Sequence, residues 1–274
     1  MSLSSGYSVS PTLLQKYQGP RLVCKLLKSI YGLRQAPHCW FMKLCSALLD
    51  FGFKQCACDH SMFVFTQQGS ITVFLVYVDD MVLAGNDQGT MTKVKLFLST
   101  RFQIKDLGHL KYFLGLELAC SSQGIHLHQK KYTQDLLTDV GLLNCKSSVI
   151  PLKQNNGLLT DLSTETDFHD VSLYRRVIGR LIYLTISRHD IAYTLNTLAQ
   201  FMSKPKVCHY HVVLKILRYL KATAGQGLLF SASSSLKLTA FSYADWAACR
   251  ITRRSITGFC VMLGASLISW RSKK

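Results

Sequence analysis

The apolar positions of this chain change period several times, and each change marks an element. Ala36-Pro37 can open a helix, and Trp40, Phe41, Leu44, Leu48 and Leu49 then recur at helical spacing until Gly52 stops them. Residues 62–65 and 71–76 are aromatic and β-branched runs around Gln67-Gln68-Gly69-Ser70, the pattern of a hairpin. A further apolar run, Met81-Val82-Leu83-Ala84, follows at once. Asp87 is placed to cap a helix carrying Val94, Leu98 and Phe102. Residues 111–118 and 124–127 predict a second hairpin, and residues 130–140 a helix stopped by Gly141. Residues 173–187, 191–202 and 207–222 are helical in period. From Gly225 the chain turns to strands, at 227–230, 236–242, 258–263 and 266–271. No internal repeat interrupts this order.

Polar stretches divide the chain. Residues 1–20 read as a loose leader, and residues 22–27 as a short apolar segment after it. Residues 145–170 are rich in Ser, Asn, Asp and Thr and read as a linker. The expected fold class is therefore α+β, with helices concentrated at 171–225 and strands at 226–274.

Composition narrows the class. A chain of 274 residues can hold about two domains with a buried core. Hydrophobic residues at 48% and charged residues at 17% describe a globular chain rather than a disordered one. The longest apolar stretch, 71–78, falls far short of a membrane span, and the first residues lack the basic and apolar regions of a secretory signal. No membrane role is expected. Ten cysteines occur without a Cys-x-x-Cys, so they are expected reduced and mostly buried. Cys56-Ala57-Cys58-Asp59-His60 and Cys208-His209-Tyr210-His211 lack the spaced second pair of a structural zinc site, which speaks against zinc.

Charge is unevenly spread. The net charge is +17, yet residues 1–170 carry only +3. Residues 171–274 hold 16 Lys and Arg against Asp190 and Asp245, a balance of +14. That asymmetry is the footprint of a polyanionic partner, and nucleic acid is the expected one.

The chemistry concentrates at Tyr77-Val78-Asp79-Asp80, between two apolar runs. Two carboxylates side by side at a strand bend repel one another, and a divalent cation offsets that repulsion; hard oxygen ligands suit Mg²⁺. Two-metal phosphoryl transfer is the chemistry such a pair serves. The alternative is a polar hairpin turn, in which Asp is common.

Neighbouring motifs bear on that choice. Residues 28–40, Lys-Ser-Ile-Tyr-Gly-Leu-Arg-Gln-Ala-Pro-His-Cys-Trp, precede the pair, and residues 105–118, Lys-Asp-Leu-Gly-His-Leu-Lys-Tyr-Phe-Leu-Gly-Leu-Glu-Leu, follow it. With Tyr174-Arg175-Arg176-Val177-Ile178-Gly179, Arg218-Tyr219-Leu220-Lys221 and residues 253–258, these resemble, over residues 21–274, the Pol polyprotein of copia-type long-terminal-repeat retrotransposons. The resemblance implies a truncated copy: an incomplete reverse-transcriptase palm and thumb portion at 21–144, the linker, a helical connection at 171–225, and a partial ribonuclease H-like sheet at 226–274.

The resemblance also implies roles. Asp79 and Asp80 would be catalytic metal ligands for Mg²⁺, or Mn²⁺ in its place. Tyr77 would lie under the primer end, and Gly32, Arg34, Gln35 and Pro37 would contact nucleotide or template, with Lys25 and Lys28 beside them. Leu114 and Gly115 would belong to a primer-grip-like hairpin. The partners would be an RNA template, a DNA primer and deoxynucleoside triphosphates, and the activity RNA-directed DNA synthesis. Two departures argue against activity of this chain alone. No Asp or Glu occurs among residues 1–49, where the family carries a third catalytic aspartate. Tyr243 stands where the family has a ribonuclease H metal ligand, so ribonuclease activity is not expected and Asp245 is expected to be structural. His189 stands where the family has proline, and Arg250-Ile251 replaces a polar turn. The other reading is a non-catalytic basic remnant that binds nucleic acid.

Overall fold

The structure, a computed structural model, describes residues 11, 23, 26–30, 32–152, 165–249 and 252–273. Most of the expected leader, Lys25, Tyr31, the middle of the expected linker and Arg250-Ile251 lie outside the described residues. The chain divides into two compact units, Met1–Gly108 and His109–Lys274.

The first unit is built on one antiparallel sheet of order β1-β2-β3-β4: β1 (Lys54–Gln55), β2 (Met62–Gln67), β3 (Ser70–Tyr77) and β4 (Asp80–Gly85). Two helices, α1 (Ala36–Phe51) and α2 (Gln88–Arg101), supply its other layer. Pro37 suits the first turn of α1, where an N–H has no partner to lose, and Gly52 ends the helix in the left-handed conformation. Asp87 caps α2 by accepting from the N–H groups of Gly89 and Thr90 at 3.1 and 3.0 Å. The Thr90 hydroxyl, which also donates to Asp87, and these two amides hold the carboxyl of Asp87 below its usual range. Thr72, Phe74 and Val76 alternate into the buried face of β3, as a strand period of two requires. Phe74 and Val76 meet Phe63, Leu44, Leu48, Val94 and Leu98 in one apolar core.

The second unit holds two sheets and four helices among its described residues. The strands β5 (Tyr112–Phe113), β6 (Leu116–Ser121), β7 (Gly124–His128) and β8 (Gly227–Ser231) pair in that order. Pattern alone reads residues 111–118 as one strand, whereas the motif resemblance puts a turn at Gly115; the segment is a tight hairpin of its own. Leu114 and Gly115 both take positive φ, +52° and +75°, and reverse the chain between β5 and β6. Grouping 226–274 as one sheet fails for β8, which pairs along β7 from Gly124↔Ser231 to His128↔Gly227. The remaining strands, β9 (Leu238–Asp245), β10 (Ile256–Leu263) and β11 (Ser266–Lys273), form a separate sheet of order β11-β10-β9.

The helices α3 (Lys130–Asp139), α4 (Val171–Leu184), α5 (Ala192–Ala199) and α6 (Val207–Ala222) enclose the larger core. Leu136, Leu137, Tyr174, Ile178, Leu181, Leu195, Ile216 and Leu220 are buried there. Residues 165–170, at the end of the polar stretch, lie against α6: Phe168 stacks on Tyr210 at 4.3 Å, and its N–H donates to the Pro205 carbonyl at 2.9 Å.

A buried polar network closes this unit. The guanidinium of Arg188, only 2% exposed, donates to both Asp190 carboxylate oxygens at 3.0 and 2.7 Å and to the carbonyl and hydroxyl of Thr223 at 2.8 Å. The Tyr219 hydroxyl donates to Asp190 as well, at 2.7 Å. Burial pushes the Asp190 carboxyl up, but hydrogen bonds from Arg188 and Tyr219 outweigh it and hold the group below its ordinary 3.8. Its contribution to stability is therefore fully present above pH 3.8 and is lost as pH falls through the lower folded-state value. Asp190→Ala leaves Arg188 buried without its counter-charge. The expected cost is about 3–5 kcal/mol in urea or thermal unfolding, with the acid-dependent loss assigned to this group removed. Unfolding unchanged from the parent protein would mean that the network contributes nothing.

Candidate active site

Tyr77, Val78, Asp79 and Asp80 form the tip of the β3–β4 hairpin. Tyr77 and Asp80 are the last paired residues, directly opposite each other, so the loop has only Val78 and Asp79. Because Val76 points into the core, alternation sends Tyr77 and Asp80 to the other face. Tyr77 is 54% exposed, and both carboxylates are exposed. Among the described residues, no side-chain hydrogen bond or ion pair engages Asp79 or Asp80.

The loop is strained. Val78 has φ +51°, in the left-handed region that a β-branched residue avoids. A two-residue hairpin with positive φ at its first loop position ordinarily places glycine there. Val78 is also 63% exposed, so it gains little from burial.

Gly32, Arg34, Gln35 and Pro37 stand at the entrance to α1. Gly32 takes φ +91°, and a Cβ there would meet nothing within 4 Å. Gln35 is the residue before the helix and Pro37 lies in its first turn; Gly32, Arg34, Gln35 and Pro37 are all exposed. Among the described residues, no side-chain hydrogen bond or ion pair links this segment to the carboxylates. Lys28 is exposed.

Leu114 and Gly115 belong to the second unit and are described with it. The Tyr183 hydroxyl of α4 donates to the Leu114 carbonyl, and a Cβ on Gly115 would lie 3.0 Å from that hydroxyl oxygen. The turn is thus pinned to a helix by a tyrosine that the strand pattern gave no reason to single out. Tyr243 lies in β9 with its ring across Gly258, where an added Cβ would come within 2.4 Å of the ring. Asp245 ends that strand, paired with Ile256 and exposed. The His189 ring meets Trp270 edge-on at 5.9 Å.

The donor set fits a divalent cation only in part. Mg²⁺ is ordinarily held by one or two carboxylates together with waters and substrate phosphates, and Asp79 with Asp80 can supply that share. Among the described residues, no group of three His, Cys, Asp or Glu could hold a metal ion.

Residues 6–154 match the reverse transcriptase (RNA-dependent DNA polymerase) family. The retrovirus-related Pol polyprotein from transposon RE1 of Arabidopsis thaliana is 40% identical over 93% of this chain and 17% of its own length. The Pol polyprotein from transposon TNT 1-94 of Nicotiana tabacum is 33% identical over 92% of this chain and 20% of its own. An uncharacterized mitochondrial protein of Arabidopsis thaliana is 39% identical over 73% of this chain and 82% of its own length. This chain belongs to the reverse transcriptase family of retrotransposon Pol polyproteins. It spans about a fifth or less of the polyproteins it matches. No solved structure matches it. Among the described residues, no helix is long and apolar enough to cross a membrane.

Replacing Val78 with Gly removes the left-handed penalty of about 1–2 kcal/mol, at an entropic cost of about 0.5–1 kcal/mol in the unfolded chain. Val78→Gly is expected to raise the unfolding free energy by the difference, under 1.5 kcal/mol on this reckoning. Urea unfolding checks it, and a less stable variant would contradict strain at Val78.

Proposed function

We propose that the β3–β4 tip is the metal-holding corner of an RNA-directed DNA polymerase palm, with Asp79 and Asp80 as two of its ligands. Bound there, Mg²⁺ would neutralise developing phosphate charge and orient the triphosphate of a deoxynucleotide. Tyr77, on the same face as Asp80, is placed to support the primer end. Arg34 and the exposed backbone at Gly32 would meet nucleotide or template phosphate, since a guanidinium binds phosphate in a fork geometry. Leu114 and Gly115, held by Tyr183, would present a rigid turn to the primer. On this reading residues 21–144 are the palm and thumb portion, residues 171–225 the helical connection and the β9–β11 sheet a ribonuclease H-like part.

One observation carries the reading: two exposed carboxylates, without a partner among the described residues, at the tip of a strained two-residue hairpin. Strain of this kind persists where the surrounding structure over-determines it, and it clusters at functional sites. The same observation limits the activity. Two carboxylates are an incomplete set for two-metal chemistry, and no Asp or Glu precedes Asp50. This chain by itself therefore binds nucleic acid without extending it. Residues 171–274, with a balance of +14, supply most of that binding.

The test pairs two assays on the same protein. Primer extension on an RNA template with Mg²⁺ is expected to stay at background. Binding of single-stranded nucleic acid is expected to weaken steeply with salt, and neutralising Arg253, Arg254, Arg271 and Lys273 together should lower the salt slope by about 3. Extension that disappears in Asp79→Asn would show that the chain is a complete catalyst. A salt slope unmoved by the four substitutions would remove the basic segment from the account.

A further inference from the structure

The connection between β1 and β2 holds two thiols together. Cys56 and Cys58 have their Sγ atoms 3.3 Å apart. Cys56 is half-buried, and Cys58 is exposed. The loop that carries them is closed on itself. The Cys56 N–H donates to the Met62 carbonyl at 2.9 Å, and the Met62 N–H to the Asp59 carbonyl at 3.0 Å. The Gln55 side chain donates to the His60 carbonyl at 2.8 Å. The N–H and hydroxyl of Ser61 both donate to one Asp59 carboxylate oxygen, at 2.9 and 2.6 Å. The Ser61 carbonyl in turn accepts from the Val76 N–H at 2.9 Å, one residue before Tyr77. These bonds fix the backbone of the loop, so that rotation about the two cysteine side chains is what remains to bring the sulfurs together.

We propose that Cys56 and Cys58 are a reactive dithiol that closes to a reversible intraloop disulfide, with a small-molecule disulfide as the oxidant. The sulfurs need to approach by about 1.2 Å to reach a disulfide bond length. The two thiols are unequal. Backbone hydrogen bonds at Cys58, then the Cys58 thiol and the backbone at Asp59, hold the Cys56 thiol below its ordinary range. The hydrogen bond with Cys56 pushes the Cys58 thiol up. Cys56 is thus the attacking group and Cys58 the resolving one.

The steps balance. The Cys56 thiolate attacks one sulfur of the external disulfide, forming a mixed disulfide and releasing one small thiolate, which takes the proton that Cys56 gave up. Cys58 then loses its proton and attacks Cys56 Sγ. The Cys56–Cys58 bond forms, the mixed disulfide breaks, and a second small thiol leaves. The protein is oxidised by two electrons, and the external disulfide is reduced to two thiols.

Reduced full-length protein incubated with glutathione disulfide, then alkylated and mapped by mass spectrometry, tests this directly. The exposed thiols of Cys39 and Cys120 serve as internal references. The peptide holding Cys56 and Cys58 should lose two hydrogens and both alkylation sites before either reference thiol reacts, and reductant should restore them. Cys58→Ser should stop at glutathione on Cys56, and Cys56→Ser should leave Cys58 no more reactive than the references. Thermal unfolding of each variant confirms that the loop change leaves the fold in place. Two alkylatable thiols surviving at 56 and 58 after Cys39 and Cys120 have reacted would overturn the proposal. So would a mixed disulfide on Cys56 of the parent protein that never resolves.

Discussion

The register between β3 and β4 is the constraint on which the candidate site depends. Val76 opposite Met81 and Phe74 opposite Leu83 place one face of the hairpin on the core. Tyr77 opposite Asp80 then falls on the other face, and only two residues remain to close the chain. A slip of one residue would carry the apolar set out of the core and turn Tyr77 and Asp80 inward. Burial of Phe74, Val76, Phe63, Leu44 and Leu48 therefore fixes where the carboxylates stand, although those side chains lie on the opposite face, in the core. The same register forces φ +51° on Val78, because two loop residues leave the backbone few alternatives.

Much of the first unit was legible from pattern. The apolar spacing from Trp40 to Leu49 and the stop at Gly52 match α1, and Asp87 caps α2 as its position suggested. Those signals are local, so neighbouring residues suffice to read them. Where the pairing partner was remote, pattern failed. Nothing near Gly227 says that its strand will pair with one beginning at Gly124, more than a hundred residues earlier. Hydrophobic pattern alone did not show the Leu114-Gly115 turn, because Leu gives no warning of a positive φ; only the motif resemblance put a turn at Gly115. Phe168 was one of several scattered apolar residues in a stretch read as a linker, yet it stacks on Tyr210 and lies in the core. At the candidate site, Asp79 and Asp80 were conspicuous by type and order. The strain at Val78, the Tyr183 anchor and the nearness of the two thiols required coordinates.

The two units divide the chemistry. The first carries the carboxylate pair, the dithiol loop and a compact aromatic core. The second carries +12 of the net +17 and a buried ion pair that the helices enclose. Asp190 is one of two acidic residues in residues 171–274, and Arg188 and Tyr219 engage it fully. Arg180, Lys204 and Lys206 pair with Asp139 and Asp167 from outside that segment, yet its 16 cations far outnumber these acids, and that excess is the basis of the proposed polyanion binding.

On the proposed reading, Asp79 and Asp80 engage a divalent cation but are an incomplete set of ligands. Paramagnetic broadening of backbone amide signals by Mn²⁺ tests it most directly, because the effect falls steeply with distance from the ion and needs no catalytic activity. Weak, saturable broadening is expected, centred on Val78, Asp79 and Asp80, strengthened by a deoxynucleoside triphosphate and lost in the Asp79→Asn protein. Broadening centred on other carboxylates, or unchanged in Asp79→Asn, would contradict it.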